Sequence, residues 1–465
     1  MFTRNTLAAG IALALAAPWG AHAADSAELA QIREQIRQMK ESYESRIQAL
    51  EQRLQQAENT AGGARAKAEQ AEEKAARATA APAALPPATA SAFNPEVSLI
   101  LSGTYTNLSQ DPASYRIGGF LPNGGEIGPG QRGFSLAESE LVVAANIDPY
   151  LRGQFTLALT PEDTVGVEEA YIQTLGLGSG LTAKAGRFMS GIGYLNEQHA
   201  HTWDFVDAPL AYQAFFGGQF KDDGVQLKWL APTDTFLEIG AEMGRGRNFP
   251  ASDRDKNGVG AGALFAHLGG DVGDSHSWRA GLSYLQTAPR ERAYNVGDNL
   301  GAEVENSFSG TSRLAVADFV WKWAPNGNPA RTNFKLQGEY FRSREDGDLS
   351  YDLGAVSAGT NSDRYAAAQS GWYLQGVYQF MPRWRVGLRR DQLDSGSVDY
   401  ASNGAALAQS AFNPTRNSLM VDYSPSEFSR FRVQFAQDKS HPEATDNQMF
   451  LQYLMSLGAH GAHKY

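Results

Sequence analysis

Two histidines stand one residue apart in the stretch Phe188 to Pro209, FMSGIGYLNEQHAHTWDFVDAP, with three carboxylates around them at Glu197, Asp204 and Asp207. Imidazole nitrogen and carboxylate oxygen are the usual non-thiolate ligands of zinc, so His199 and His201, with Glu197 or Asp204, are candidate metal ligands. The chain has no cysteine, which removes thiolate sites and disulfides together. The five side chains Glu197, His199, His201, Asp204 and Asp207 also suit a polar constriction where fixed charges discriminate among passing ions. A His-x-His in a loop has no geometry set by sequence, so the constriction is the favoured reading and zinc the lesser one. A second pair, His460 and His463, lies near the C-terminus. Catalysis is not expected, because GxSxG, HExxH and P-loop patterns are all missing from the sequence.

The stretch neither alternates nor coils, so its neighbours decide what it can do. From Phe93 onward the hydrophobic period is two. Sixteen runs of strand character follow, joined by links that alternate strictly between short and long. The short links read DP, GLG, PT, GDVGDS, PNGNPA, P and PS; the other eight are mostly long and polar, at 108–133, 190–223, 246–258, 288–311, 344–369 and 394–414, with shorter ones at 161–165 (the second of the eight) and 438–445. Outer-membrane barrels have this pattern, with tight turns on the periplasmic side and longer loops outside. Along 429–436, Phe431, Val433 and Phe435 oppose Arg430, Arg432 and Gln434; along 331–341, Phe334, Leu336 and Tyr340 oppose Lys335, Gln337 and Glu339. Trp229, Trp321, Trp323, Phe380 and Trp384 fall at the short-link ends, where an aromatic girdle belongs. The fold expected is an all-β transmembrane barrel of about 16 antiparallel strands, preceded by an N-terminal α-helical coiled coil.

The region before the barrel divides into three. Residues 1–23 read as a secretory signal peptide, with Arg4, an apolar run and Ala21-His22-Ala23. In 24–79, apolar residues at Leu29, Ile32, Ile36, Met39, Tyr43, Ile47, Leu50 and Leu54 recur at threes and fours, predicting a periplasmic coiled coil. Residues 80–92 are a Pro/Ala linker, and 93–465 the outer-membrane barrel. The terminal Tyr465 suits recognition by the barrel-assembly machinery. A net charge of −11 argues against nucleic acid as a partner.

The opening stretch falls in the third long link, and a sixteen-stranded barrel is wide enough for an aqueous channel. In porins the third loop folds inward. YIQTL, then LTAKAGRFMSGIGYLNEQHAHTWDFVDAPL, then GVQLKW resemble the strand, turn and inward loop of the phosphate-selective porin O and P family. The chain also looks like trimeric porins with a periplasmic coiled coil before the barrel. The resemblance implies a homotrimer in outer-membrane lipid of a Gram-negative cell, with a passive channel in each copy. The family's anion selectivity needs clustered lysines and arginines. Here the inferred pore lining mixes Arg152, Lys184, Lys228, Lys335, Arg385, Arg389, Arg430 and Arg432 with Glu169 and Glu339, alongside further carboxylates, so a general porin for small hydrophilic solutes or ions is expected. No cofactor is expected unless zinc binds at His199 and His201. The alternatives are a zinc-related uptake channel, or a tether from outer membrane to cell wall.

Overall fold

The computed structural model describes residues 95–458, apart from 123–126, 162–163, 254, 256 and 409, together with Arg37. The expected signal peptide, coiled coil and linker (save Arg37), and His460, His463 and Tyr465, lie outside the described residues.

Within them, alternation of apolar and polar residues produces strands, and the strands close into one antiparallel sheet. In chain order they are β1 (Glu96–Leu108), β2 (Gly133–Leu136), β3 (Ser139–Asn146), β4 (Leu151–Leu159), β5 (Val165–Thr174), β6 (Leu181–Met189), β7 (Lys221–Leu230), β8 (Phe236–Gly244) and β9 (Ala261–Val272). They continue as β10 (His276–Thr287), β11 (Arg292–Gly297), β12 (Glu303–Trp323), β13 (Asn333–Tyr351), β14 (Asn361–Met381), β15 (Trp384–Asp399), β16 (Thr415–Ser426), β17 (Ser429–Lys439) and β18 (Asp446–Gly458). β2 and β3 both pair with β1, and β10 and β11 both pair with β12, so each of these couples is one interrupted stave. The wall therefore has sixteen staves, as the sequence predicts. β18 closes it on β1, from Ser98 opposite Gly458 to Leu108 opposite Gln448.

The wall is apolar outside and polar inside. On β17, Phe431, Val433 and Phe435 are exposed while Arg432, Gln434 and Ala436 are buried; on β10, Leu282 is 70 % exposed between buried Gly281 and Ser283. On the inner side Asp391 is 0 % exposed, and Glu140, Arg416 and Gln434 are as deeply buried. Such an arrangement is stable only if the surrounding solvent is hydrocarbon, which makes the chain a transmembrane β-barrel of the outer-membrane type. Aromatic pairs at the short-turn rim, Trp321 with Phe334 and Trp384 with Tyr423, ring centroids 5.8 and 4.8 Å apart, form the interfacial belt.

Two links expected to be long loops are largely strand, and a third is partly so. Segments 288–311 and 344–369 are mostly taken up by β11 and the outer ends of β12 to β14, and β15 runs into 394–414 as far as Asp399; β12 to β15 are four strands of 16 to 21 residues. Crossing a bilayer takes about 9–11 residues, so these hairpins continue as paired ribbons beyond it. There water wets the outer face, polar residues replace apolar ones, and the composition imitates a loop.

The outward face of β10 gives a direct check on its solvent. Leu282→Arg is expected to cost about 2–4 kcal/mol of folding stability in lipid vesicles, read from a denaturant titration. A change below about 0.5 kcal/mol, usual for a water-facing position, would place this face in water.

Candidate functional site

The third long link, Ser190 to Phe220, folds into the barrel. Its neck is closed by Asn196, whose amide donates to the carbonyls of Ser190 and Phe220, both at 2.8 Å, and accepts from the Phe220 N–H. Gly193 adopts φ +71°, and a Cβ there would meet Glu339 Oε2 at 2.4 Å. That close approach lets Glu339 accept from the backbone N–H groups of Tyr194 and Leu195, both at 3.1 Å, and from the hydroxyls of Tyr212 and Tyr373.

Past Pro209 the link forms a helix, α1 (Leu210–Phe216), ended by Gly217 at φ +68°. Every α1 residue is 5 % exposed or less. Tyr212, Phe215 and Phe216 pack on Phe341, Tyr373 and Leu393, inward residues of β13 to β15. The inner wall is layered. On β13 it runs Lys335, Gln337, Glu339 and then Phe341; on β15 it runs Arg385, Arg389, Asp391 and then Leu393. Charged groups occupy the half nearer the short turns, and apolar groups receive the helix above them. The first long link joins in: Tyr115 and the Gly128 N–H both donate to Gln213 Oε1, at 3.1 and 3.0 Å.

Two rows of alternating charge across β15, β16 and β17 hold the loop's aspartates. One row sets Arg385, Asp422 and Arg432 side by side; the other sets Asp391, Arg416 and Asp438. Asp204 sits on the first row and pairs with Lys335 at 2.5 Å and Arg385 at 3.2 Å. Asp207 sits by the second, paired with Arg389 at 3.0 Å and with Arg416, and accepting from Gln434 at 2.7 Å. Burial alone would push both carboxyls up. The lysine and arginines around them reverse this and hold both below the usual carboxylate range.

The histidines contact a different group of carboxylates from those expected. Glu197 lies 3.9 Å from Lys228, and Asp204 pairs with Lys335 and Arg385. Instead His199 Nδ1 is 3.0 Å from both Glu140 Oε2 and Glu168 Oε2, its Nε2 is 3.2 Å from Glu169 Oε2, and His201 Nδ1 is 2.9 Å from Glu140 Oε1. Burial would lower the pKa of His199, but the Glu140 charge and the ring's hydrogen bonds to the carboxylates around it raise it well above its ordinary value.

Beneath the loop lies a cavity of about 560 Å³, reaching the short-turn rim at Glu96, Arg152 and Ser426. Of the residues inferred to line a pore, it brings together Arg152, Glu169, Lys184, Lys335, Arg385 and Arg430 with Glu197, His199, His201 and Asp204 from the loop. Lys228 and Arg152 line a neighbouring cavity of about 360 Å³. Glu339, Arg389 and Arg432 do not line the chamber; they are sealed against loop backbone or Asp207.

No protein-family model matches the chain. Over 406 residues it is 30% identical to an uncharacterized protein of Aquifex aeolicus (strain VF5), covering 82% of this chain and 81% of that one. The chain belongs to that protein's family. Among solved structures it is similar to a loop L8 deletion mutant of OmpT, an outer membrane protein of Vibrio cholerae (TM-score 0.49, 10% identity, covering 78% of this chain and 99% of that one). It is also similar to the outer membrane channel DcaP of Acinetobacter baumannii (TM-score 0.46, 13% identity, 79% and 99% covered) and an anion-selective porin from Comamonas acidovorans (0.45, 9%, 78% and 99%).

The sequence reading missed Arg416, Glu168 and helix α1. Arg416 lies six residues before Asp422 and so on the same strand face, and the helix is bracketed by Pro209 and Gly217-Gly218. Those signals were available. Removing the Asp207 charge tests how the loop is held. Asp207→Asn leaves Arg389 and Arg416 buried with one counter-charge fewer, a loss worth about 3–5 kcal/mol when a buried pair is broken. Amide exchange over residues 204–216 is expected to accelerate on the order of 10²–10⁴-fold, while strand amides keep their protection. Equal protection throughout would mean that the apolar seat of α1 alone fixes the loop.

Proposed function

We propose that the chain is a passive outer-membrane channel for small hydrophilic solutes or ions, with its narrowest point set by the third long loop. The observation that carries this reading is the charged, water-accessible chamber inside an apolar-walled barrel, beneath a loop held only by non-covalent contacts. Six acidic residues (Glu96, Glu140, Glu169, Glu197, Asp204, Glu427) and six basic ones (Arg152, Lys184, Lys322, Lys335, Arg385, Arg430) line it. That even balance favours a weakly selective pore over the anion selectivity of the phosphate-selective porins the sequence resembles. Acids come mainly from the β1, β3 and β5 side and the loop, with Arg152 and Lys184 among them, and β12 to β17 contribute the other four lysines and arginines. A dipolar solute crossing between them is oriented by the field.

Single-channel recording in planar bilayers under a salt gradient tests the reading. Discrete conductance steps are expected from the wild-type protein. Asp204→Asn removes one negative charge from the chamber and is expected to shift the reversal potential toward anions. Absence of steps from folded protein would overturn the channel; an unmoved reversal potential in Asp204→Asn and Glu197→Gln would take the loop out of the conduction path.

The assembly proposed is a homotrimer in which the coiled coil expected at 24–79 joins three barrels. Deleting residues 25–80 is then expected to leave each barrel folded and weaken the trimer, measured by native electrophoresis and light scattering. A truncated chain that remains fully trimeric would make the coil a spacer or tether.

A further inference from the structure

Three buried carboxylates converge on one imidazole where the loop meets the wall. Glu140 and Glu168 are 1 % and 3 % exposed, and both owe their direction to breaks in strand regularity. Glu140 follows the interruption between β2 and β3. Glu168 is the extra residue of a bulge on β5: Glu169 pairs with Thr156 and Val167 with Leu157, leaving Glu168 without a register partner. A bulge re-aims a side chain, and here two consecutive glutamates turn inward.

We infer that Glu140, Glu168 and His199 form a binding site for a divalent transition-metal ion of the zinc class, which clips the third long loop to β3 and β5. Their ligand atoms lie within 4.8 Å of one another, with His199 Nδ1 3.0 Å from each carboxylate oxygen. A tetrahedral ion with bonds of about 2.0–2.1 Å sets its ligands about 3.3 Å apart, so small side-chain adjustments admit it. Nδ1 carries at most one proton. Shared with Glu168, that proton leaves Glu140 Oε2 buried without a hydrogen-bond partner and aimed into the cluster.

The outer contacts suit the same assignment. His199 Nε2 faces Glu169, which is held in turn by Gln154 at 3.2 Å and the Met189 N–H at 3.1 Å. A carboxylate on the far nitrogen of a ligating histidine orients the ring and raises its basicity. His201 steadies the other oxygen of Glu140. Imidazole with carboxylates favours zinc-class ions over calcium or magnesium, which take mostly oxygen ligands. Glu140 and His199 line the chamber, so an ion arrives from its water and keeps water in the remaining position. The inference stands apart from the channel reading, since binding is measured without conductance.

The test uses the full-length protein with His460 and His463 replaced by Gln, stripped by a chelator and titrated with Zn²⁺ against a chromophoric competitor. One ion per chain is expected, weakened about 10–100-fold by Glu169→Gln, more by Glu140→Gln or Glu168→Gln, and unchanged by His441→Gln. Equal affinity in all these variants, or no binding, overturns the site. Because Glu140→Gln also strips a loop contact and can unseat the loop, X-ray absorption on the zinc-loaded parent provides a readout that needs no wall variant. Imidazole and oxygen scattering in one shell is expected; a shell without imidazole overturns the assignment.

Discussion

Two buried aspartates on one loop, met by two rows of alternating charge on the wall, are the interaction on which the inside of this barrel depends. A carboxylate away from water is costly unless paired and fully hydrogen-bonded. Asp204 and Asp207 are satisfied by Lys335 and Arg389 together with the rows Arg385, Asp422 and Arg432, and Asp391, Arg416 and Asp438, which align across three strands in one register. A slip of one residue would turn each row to the lipid. The outward apolar face of the same strands forbids that slip. Lipid outside and a charged loop inside thus fix the register together.

The layering of the inner wall follows from the same arrangement. Charged groups lie where the loop's polar segment crosses, and Phe341, Tyr373 and Leu393 lie where α1 is seated. A barrel whose interior held only water would gain nothing from buried phenylalanines there. Apolar inward residues therefore mark the seat of a segment, and the polar residues below them mark the chamber.

Much of this was legible in the sequence. Period-two alternation gave the sixteen staves, and the faces of 331–341 and 429–436 were read in the register the structure has. The extended hairpins escaped because polarity is a cue for loops only where strands are flanked by lipid. Glu168 escaped for a different reason: a bulge breaks the period, so parity assigns the wrong face to one of two adjacent residues. Arg416 broke no rule and was simply passed over. The partners of His199 could not be read at all, since Glu140 and Glu168 lie 59 and 31 residues away and meet it only in the closed wall.

The distance along the chain between loop and wall also orders assembly. Asp207 bonds Arg416 and Gln434, 209 and 227 residues further on, and contacts so far apart in sequence form late. Lys335 and Arg385 can meet Asp204, and Arg389 can meet Asp207, once β13 and β15 are in place, but Asp207 gains Arg416 and Gln434 only with β16 and β17. The last of the loop's wall contacts therefore forms with β17, one strand before the β1–β18 seam is sealed, so a sheet still open along that edge already holds a partly seated loop.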